Sequence, residues 1–268
     1  MSTEAQNPAP EITFTKDDTD AALALLAAVD SPDYALPTLT DEEIVAIDGI
    51  RHPQAVALPW LNSHPREHHE LICNVALRTL LTKGFVYPVT LEGESEPTRI
   101  GAIEAIRGIM ALRRLSQRVV IAELTKGANE KVWLYSYLHD RVALQEIVDS
   151  AGSHSFSLCR REDVAGIVME LANAAGIESA DGEPETLDAE QFEAKAAREF
   201  ADVRGVTIIT AIGAREDDAE LYTIYTSPDA LHGLEATNVD GAAKLLVART
   251  SRATALAKVT SVVDGAGA

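Results

Sequence analysis

RVVIAEL (residues 118–124) and KVWLYSYL (131–138), joined by a turn through TKGANE, are strand-like runs rich in β-branched and aromatic side chains. VALQEIV (142–148) and HSFSLCR (154–160) follow, separated by the turn material HDR and DSAGS. Strand-like runs with so few residues between them predict an antiparallel meander, since a parallel return needs a long crossover. REDVAGIVMELANAAG (161–176) closes it as a helix with Val164, Ile167, Val168 and Leu171 on its apolar side.

The same programme then recurs. An acidic linker, GIESADGEPETLDAE (176–190), and a helix over AEQFEAKAAREFADV (189–203) lead to four more strand-like runs. These are GVTIITAIG (205–213), ELYTIYT (220–226), ALHGLEA (230–236) and AKLLVARTS (243–251), followed by a helical TALAKVTSVV (254–263). VVIAEL overlays TIITAI, WLYSY overlays LYTIY, VALQEIV overlays ALHGLEA and SFSLCRRED overlays KLLVARTSR, at an offset of about 88 residues. Order and spacing match better than identities do. A unit this long occurring twice predicts an internally duplicated β-meander plus helix with pseudo-two-fold symmetry, not a solenoid.

Working outward, residues 1–18 are rich in Pro, Thr and acidic side chains and predict a flexible tail. Residues 19–268 are expected to form one domain of two similar halves, about 38–175 and 187–263. Thr19 or Asp20 would cap a short helix through Val29, and Thr40 caps DEEIVAIDGI with Glu43 at the capping-box position. AVALPWL (55–61) reads as extended. Pro65 suits the first turn of the next helix, REHHELICNVALRTLLTKG, with Leu71, Ile72, Val75, Ala76, Leu80 and Leu81 recurring at helical spacing before Gly84. After a polar loop, EGESEPT, IGAIEAIRGIMALRRLS (100–116) reads as a further helix with Ile103, Ile106, Ile109, Met110 and Leu112 inward.

Composition narrows the function. With 42 acidic against 23 basic residues the formal charge is −19, which repels phosphate backbones and anionic lipid, so neither nucleic acid nor membrane insertion is expected. The longest apolar run, AALALLAAV, is too short to span a bilayer, and the start lacks a basic export n-region. Cys73 and Cys159 are far apart in apolar contexts, as free thiols of a reducing compartment would be. A cytosolic, soluble protein is expected.

HPREHHE (64–70) contains the zinc-protease spelling H-x-x-E-H. Zinc would need His64 and His68 on one helical face, Glu67 as base and a third ligand from elsewhere; Pro65 weakens that geometry by making His64 a capping residue. The alternative is a polar helix start in which Glu67 and Glu70 favour the positive end of the dipole. No G-x-S-x-G elbow, P-loop or paired C-x-x-C is present. VTIITAIGARE fits a hairpin turn through Asp217 and Asp218 better than a nucleotide loop, and His139–Asp140 and His154 fall in turn sequences where such residues are solvated. In KVWLYSYL, alternation sets Trp133, Tyr135 and Tyr137 against Val132, Leu134, Ser136 and Leu138; the aromatic face is expected in the core rather than as an exposed platform, and Tyr222 and Tyr225 pose the same choice.

LTDEEIVAI, ALPWL, HPREHHELICNVALRTLLTKGFV, IEAIRGIMALRRLSQRVVIAEL and KVWLYSYLHDRVALQEIV…HSFSLCRREDVAGIVMEL, with the echoing second half, resemble in order the EspG family of actinobacterial type VII (ESX) secretion proteins, over about residues 38–263. The resemblance implies an α+β fold with a central antiparallel sheet flanked by helices. It implies a non-enzymatic cytosolic chaperone without cofactor or metal, binding helical secretion substrates, typically the tip of a helical-hairpin heterodimer. If the family's partner-contacting hairpin loop carries over, Lys126, Asn129 and Glu130 form the binding rim. The competing readings are an interaction or regulatory module with an unrelated partner, and a zinc hydrolase using His64, Glu67 and His68.

Overall fold

Side-chain caps fix where the first helices begin. The computed structural model describes residues 14–31, 35–90, 93, 96, 99–127, 130–213, 219–239 and 241–265. Its chain divides into two units, Met1–Leu115 with Ala151–Phe156, and Ser116–Ser150 with Ser157–Ala268. Most of the expected N-terminal tail, all of EGESEPT except Gly93 and Glu96, Asn129, and the Asp217–Asp218 turn lie outside the described residues.

In the first unit, α1 (Lys16–Ala27) starts after Thr15, whose hydroxyl accepts from Asp18 N while the Asp18 carboxylate accepts from Thr15 N. This reciprocal cap satisfies two free amides at once and sets the helix start ahead of the expected Thr19 or Asp20. β1 (Leu39–Thr40) leads into α2 (Asp41–Asp48), where Thr40 N donates to Glu43 Oε2 at 3.2 Å; this is one half of the box read from the sequence, since the buried Thr40 hydroxyl makes no hydrogen bond. AVALPWL is not extended. The carboxylate of Asp41 accepts from the amides of Trp60 and Leu61, at 2.8 and 2.9 Å, and draws the backbone into a 3-10 turn, Leu61–Ser63.

α3 (Arg66–Thr82) buries Cys73, Ala76 and Leu80, while Leu71 and Val75 are 67% and 55% exposed. LICNVAL carries apolar residues around most of the helix, so two interleaved stripes compete, and the stripe through Leu80 docks. β2 (Val86–Val89) and β3 (Arg99–Ala102) then form a two-stranded hairpin where the sequence suggested that a helix was already under way. Gly101 explains the difference: Tyr87 lies across it so closely that a Cβ there would meet the ring at 2.6 Å. α4 (Glu104–Leu115) starts later than expected and buries Ile106, Ile109, Met110 and Leu112.

The second unit carries the duplication. Its first copy is β4 (Arg118–Lys126), β5 (Glu130–Leu138), β6 (Val142–Val148), β7 (Ser153–Arg160) and α5 (Val164–Ala172); the opening residues of β7 belong to the first unit. β8 (Glu185–Leu187), a short strand within the expected linker, and α6 (Ala189–Glu199) separate it from the second copy. That copy is β9 (Gly205–Ile212), β10 (Glu220–Thr226), β11 (Leu231–Val239), β12 (Ala242–Thr250) and α7 (Arg252–Asp264). The sheet order is β1-β7-β6-β5-β4-β9-β10-β11-β12-β8, ten strands, so the two meanders run outward from a central antiparallel β4–β9 pair.

The ladders refine the overlay. Ala122 faces Leu134 across the first hairpin as Ile209 faces Tyr222 across the second, so β5 maps to β10 by 88 residues but β4 maps to β9 by 87. That single residue decides the face: VVIAEL falls on VTIITA, not TIITAI, and buried positions then match buried positions. Ala122 also pairs with its own counterpart, Ile209, which places the local two-fold through that pair. One face of the sheet, including Val120, Ala122, Leu134, Ile209 and Ile224, packs against Val164 and Val168 of α5 and Ala255 and Val259 of α7.

Gly108 of α4 admits α1 at close range, since a Cβ there would stand 2.6 Å from Leu25 Cδ1 and 2.9 Å from Ala21 O. Alanine would improve helix propensity by about 1 kcal/mol. Overpacking costs about 1–3 kcal/mol. Gly108→Ala is therefore expected to lower the thermal midpoint, read by circular dichroism; an unchanged or higher midpoint would mean that α1 moves aside freely.

Candidate functional site

The alternation that buries Ala122 and Ile209 turns Ile121, Glu123, Ile208 and Thr210 to the opposite face of the sheet, around the two-fold. Ile121 pairs with Thr210, Glu123 with Ile208 and Val119 with Ile212, and Leu221 of β10 extends the row beside Thr210. Ile208, Ile212 and Leu221 are 41%, 44% and 52% exposed. Single exposed apolar side chains are ordinary, and Leu71 and Val75 are more exposed than these; what sets the strip apart is that its residues adjoin one another on neighbouring strands, the arrangement that suits an interaction surface. Glu123 is the charged group among these central pairs, and it is held in place: Trp133 Nε1 donates to Oε2 at 3.0 Å and Lys131 pairs with Oε1. The surface thus offers an apolar field with one neutralised polar edge.

Toward β6 the same face closes. Tyr135 and Tyr137 are buried, their rings 6.4 Å apart, and the Tyr137 hydroxyl donates to Glu146 Oε2 at 2.6 Å, so the core reading holds for these two, whereas Trp133 is half-buried beside Glu123. Toward β11 it is covered by α6 and the residue after it: Phe200 stacks on Tyr225 at 4.7 Å and meets His232 at 5.1 Å, with Phe192 alongside at 6.3 Å from Tyr225. The open part is the strip from Ile121 through Ile208 and Ile212 to Leu221.

Lys126 and Glu130 close the β4–β5 ladder as its last pair, both exposed. Alternation places Lys126 on the side of Leu124, not of Ile121. Asn129 lies outside the described residues. The isoleucines of the open strip were not singled out from sequence, although the adjacent pair Ile208–Ile209 carried the signal: in a strand, one of two consecutive large residues must face away from the core.

HPREHHE does not assemble a metal centre. His64 ends the 3-10 turn, outside α3, and its Nδ1 lies 3.0 Å from Trp60 O and 3.2 Å from Ser63 Oγ. Pro65 caps α3 rather than standing in its first turn, and His69 Nε2 lies 3.1 Å from His64 O. His64 and His68 therefore do not share a helical face. Among the described residues no group of three or more His, Cys, Asp or Glu side chains is placed to hold a metal ion.

His154 departs from expectation. It lies on β7, fully buried, with Nε2 2.8 Å from Asp41 Oδ1, while Asp41 Oδ2 takes the amides of Trp60 and Leu61. Asp41 N donates to Gly152 O at 2.9 Å, and a Cβ on Gly152 would stand 2.8 Å from the Asp41 carboxyl carbon. The partner is remote in sequence, so local turn chemistry gave no sign of it. Neither side chain of the pair reaches solvent, and its work is to hold β1, β7 and the 3-10 turn together. Burial pushes the Cys159 thiol up to about 11 and raises Cys73, so both favour the protonated form.

No family model matches the chain, and no curated protein matches it in sequence. In fold it is similar to the Mycobacterium tuberculosis type VII secretion system chaperone EspG5, solved in complex with the PE25–PPE41 dimer, with a TM-score of 0.57, 11% identity and coverage of 85% of this chain and 96% of that one. The likeness establishes an EspG-like α+β fold, as expected from the order of elements, and at this identity it assigns no residue a role. No helix among the described residues is long and apolar enough to cross a membrane.

Two outcomes follow from these contacts. Asp41→Ala strands two backbone amides and takes the carboxylate away from buried His154, and is expected to cost about 3 kcal/mol or more in a denaturant melt. Burial, and then the charge of Arg249, hold the His232 pKa below its ordinary 6.5, against smaller opposing effects of Glu199 and Asp229, while Lys195 lowers it further. Stability from neutral His232 is thus complete above 6.5 and is lost progressively as pH falls from that value through the lower folded-state pKa, because over that interval the unfolded chain takes a proton that the folded one resists. Melts from pH 7.5 to 5 should show that loss, and His232→Phe should flatten it.

Proposed function

We propose that the chain is a non-enzymatic, cytosolic chaperone-like protein that holds a helical type VII secretion substrate against the open strip of its sheet. The exposed row Ile208, Ile212 and Leu221 carries this reading. A helical partner supplies apolar side chains at i, i+3, i+4 and i+7, and a flat, branched surface with a polar edge at Glu123 is the chemistry that receives them. The fold neighbour, solved with the PE25–PPE41 dimer, supports the partner class. Lys126, Asn129 and Glu130 are a separate part of the proposal: Lys126 and its ladder partner Glu130 stand on the face opposite the strip, so they meet the partner only where it wraps around the end of the β4–β5 hairpin.

The test is size-exclusion chromatography of the full chain with candidate helical-hairpin heterodimers from type VII loci. A stable one-to-one complex is expected, abolished by Ile208→Glu, a surface change costing less than about 1 kcal/mol in stability. Lys126→Glu is expected to weaken the complex without dissolving it. Absence of a complex with every such candidate, or a complex indifferent to Ile208→Glu, overturns the reading.

A further inference from the structure

A cavity of about 580 Å³ opens in the first unit between the start of α1, the end of α2, the β2–β3 hairpin and α4. This lies in the range of small-molecule sites and far above the voids left by imperfect packing. Ile106, Met110 and Ala111 of α4 give it a buried apolar floor, while Tyr87 and Ile100 of the hairpin line it and remain exposed.

Its polar lining is unevenly satisfied. Asp48 Oδ2 is ion-paired with Arg114 at 2.9 Å and Arg113 at 3.7 Å but, like Arg107 Nε, is buried without a hydrogen bond, and Asp18 is engaged in the cap of α1. Arg107 differs. Its Nη1 has a single long contact, 3.4 Å, to Asp17, whose side chain is 77% exposed, and its Nε is buried with no acceptor. The Arg107 side chain is 29% exposed, so an oxygen entering the cavity reaches its Nη groups, whereas the buried Nε is met only once the side chain shifts. Carboxylates match the guanidinium with two parallel bonds, where the exposed Asp17 makes one long contact to Nη1.

We propose that this cavity binds a long-chain carboxylate, its tail on Ile106, Met110 and Ala111 and its head on Arg107, displacing Asp17. The site is separate from the sheet face and does not depend on the chaperone reading. Asp17 acts as an internal competitor at the mouth, so its removal strengthens binding rather than weakening it.

The probe is cis-parinaric acid, titrated by fluorescence into the full chain, with the alcohol of the same chain as the uncharged control. Saturable one-to-one uptake of the acid is expected. Arg107→Gln should weaken it roughly tenfold or more and leave the alcohol unchanged. Asp17→Asn, at an exposed position that does not threaten folding, should tighten the acid alone, and Ala102→Trp should exclude both. No saturable uptake, or equal responses of acid and alcohol to Arg107→Gln and Asp17→Asn, overturns the proposal.

Discussion

The antiparallel β4–β9 ladder is the constraint on which the second unit depends. Such a ladder carries a local two-fold of its own, because each pair of residues exchanges the same bonds in both directions. Two copies of a meander can therefore join edge to edge through their first strands without any new type of contact. The self-equivalent pair, Ala122 with Ile209, stands at that junction, and the other strands follow outward in matching order. Joining at this edge also removes two exposed strand edges from the middle of the sheet, where they would invite pairing with other chains.

Duplication leaves the two faces of the sheet unequal. Each copy ends in a helix, α5 or α7, and both pack on the face that holds Ala122 and Ile209. On the opposite face the second unit supplies, among its described residues, the helix α6, which has no fully buried residue and is fastened by the aromatic group at Phe200 and by Lys195 to Glu185. The open strip between is thus a consequence of how the copies are built: helices at the ends of the repeats fill one side, and nothing in the repeat itself fills the other. Function enters where the architecture leaves branched apolar side chains unmatched.

Much of this was legible in the sequence, and the misses have physical causes. Thr40 with Glu43, the strand runs, their turns and the order of the repeat depend on local chemistry, which a sequence displays directly. The face of a strand depends on parity, so an overlay at 88 residues rather than 87 preserved the order of elements while exchanging inside for outside along β4 and β9. The face of α3 was ambiguous because apolar residues surround it, and only packing chose the stripe through Leu80. His154 and the β2–β3 hairpin depended on partners remote in sequence, Asp41 and the Tyr87 ring over Gly101. The candidate strip was half-visible: Ile208 beside Ile209 announces an outward isoleucine, but not whether another element covers it.

Charge resolves the remaining tension, which is that a protein with an exposed apolar strip should adhere to itself. Two copies each carrying a formal −19 repel one another over distances comparable to the Debye length, about 8 Å at physiological salt. The open strip itself escapes that repulsion at short range, since Glu123 is matched by Lys131 and the remaining groups are apolar or hydroxylic. The long-range field therefore acts against a second copy, while contact chemistry favours a partner of lower acidity bearing its own apolar stripe. Discrimination of this kind needs no specific recognition residue: repulsion between like-charged copies acts before contact and apolar burial after it, so net charge and the strip pull in opposite directions for a second copy and in the same direction for a less acidic partner.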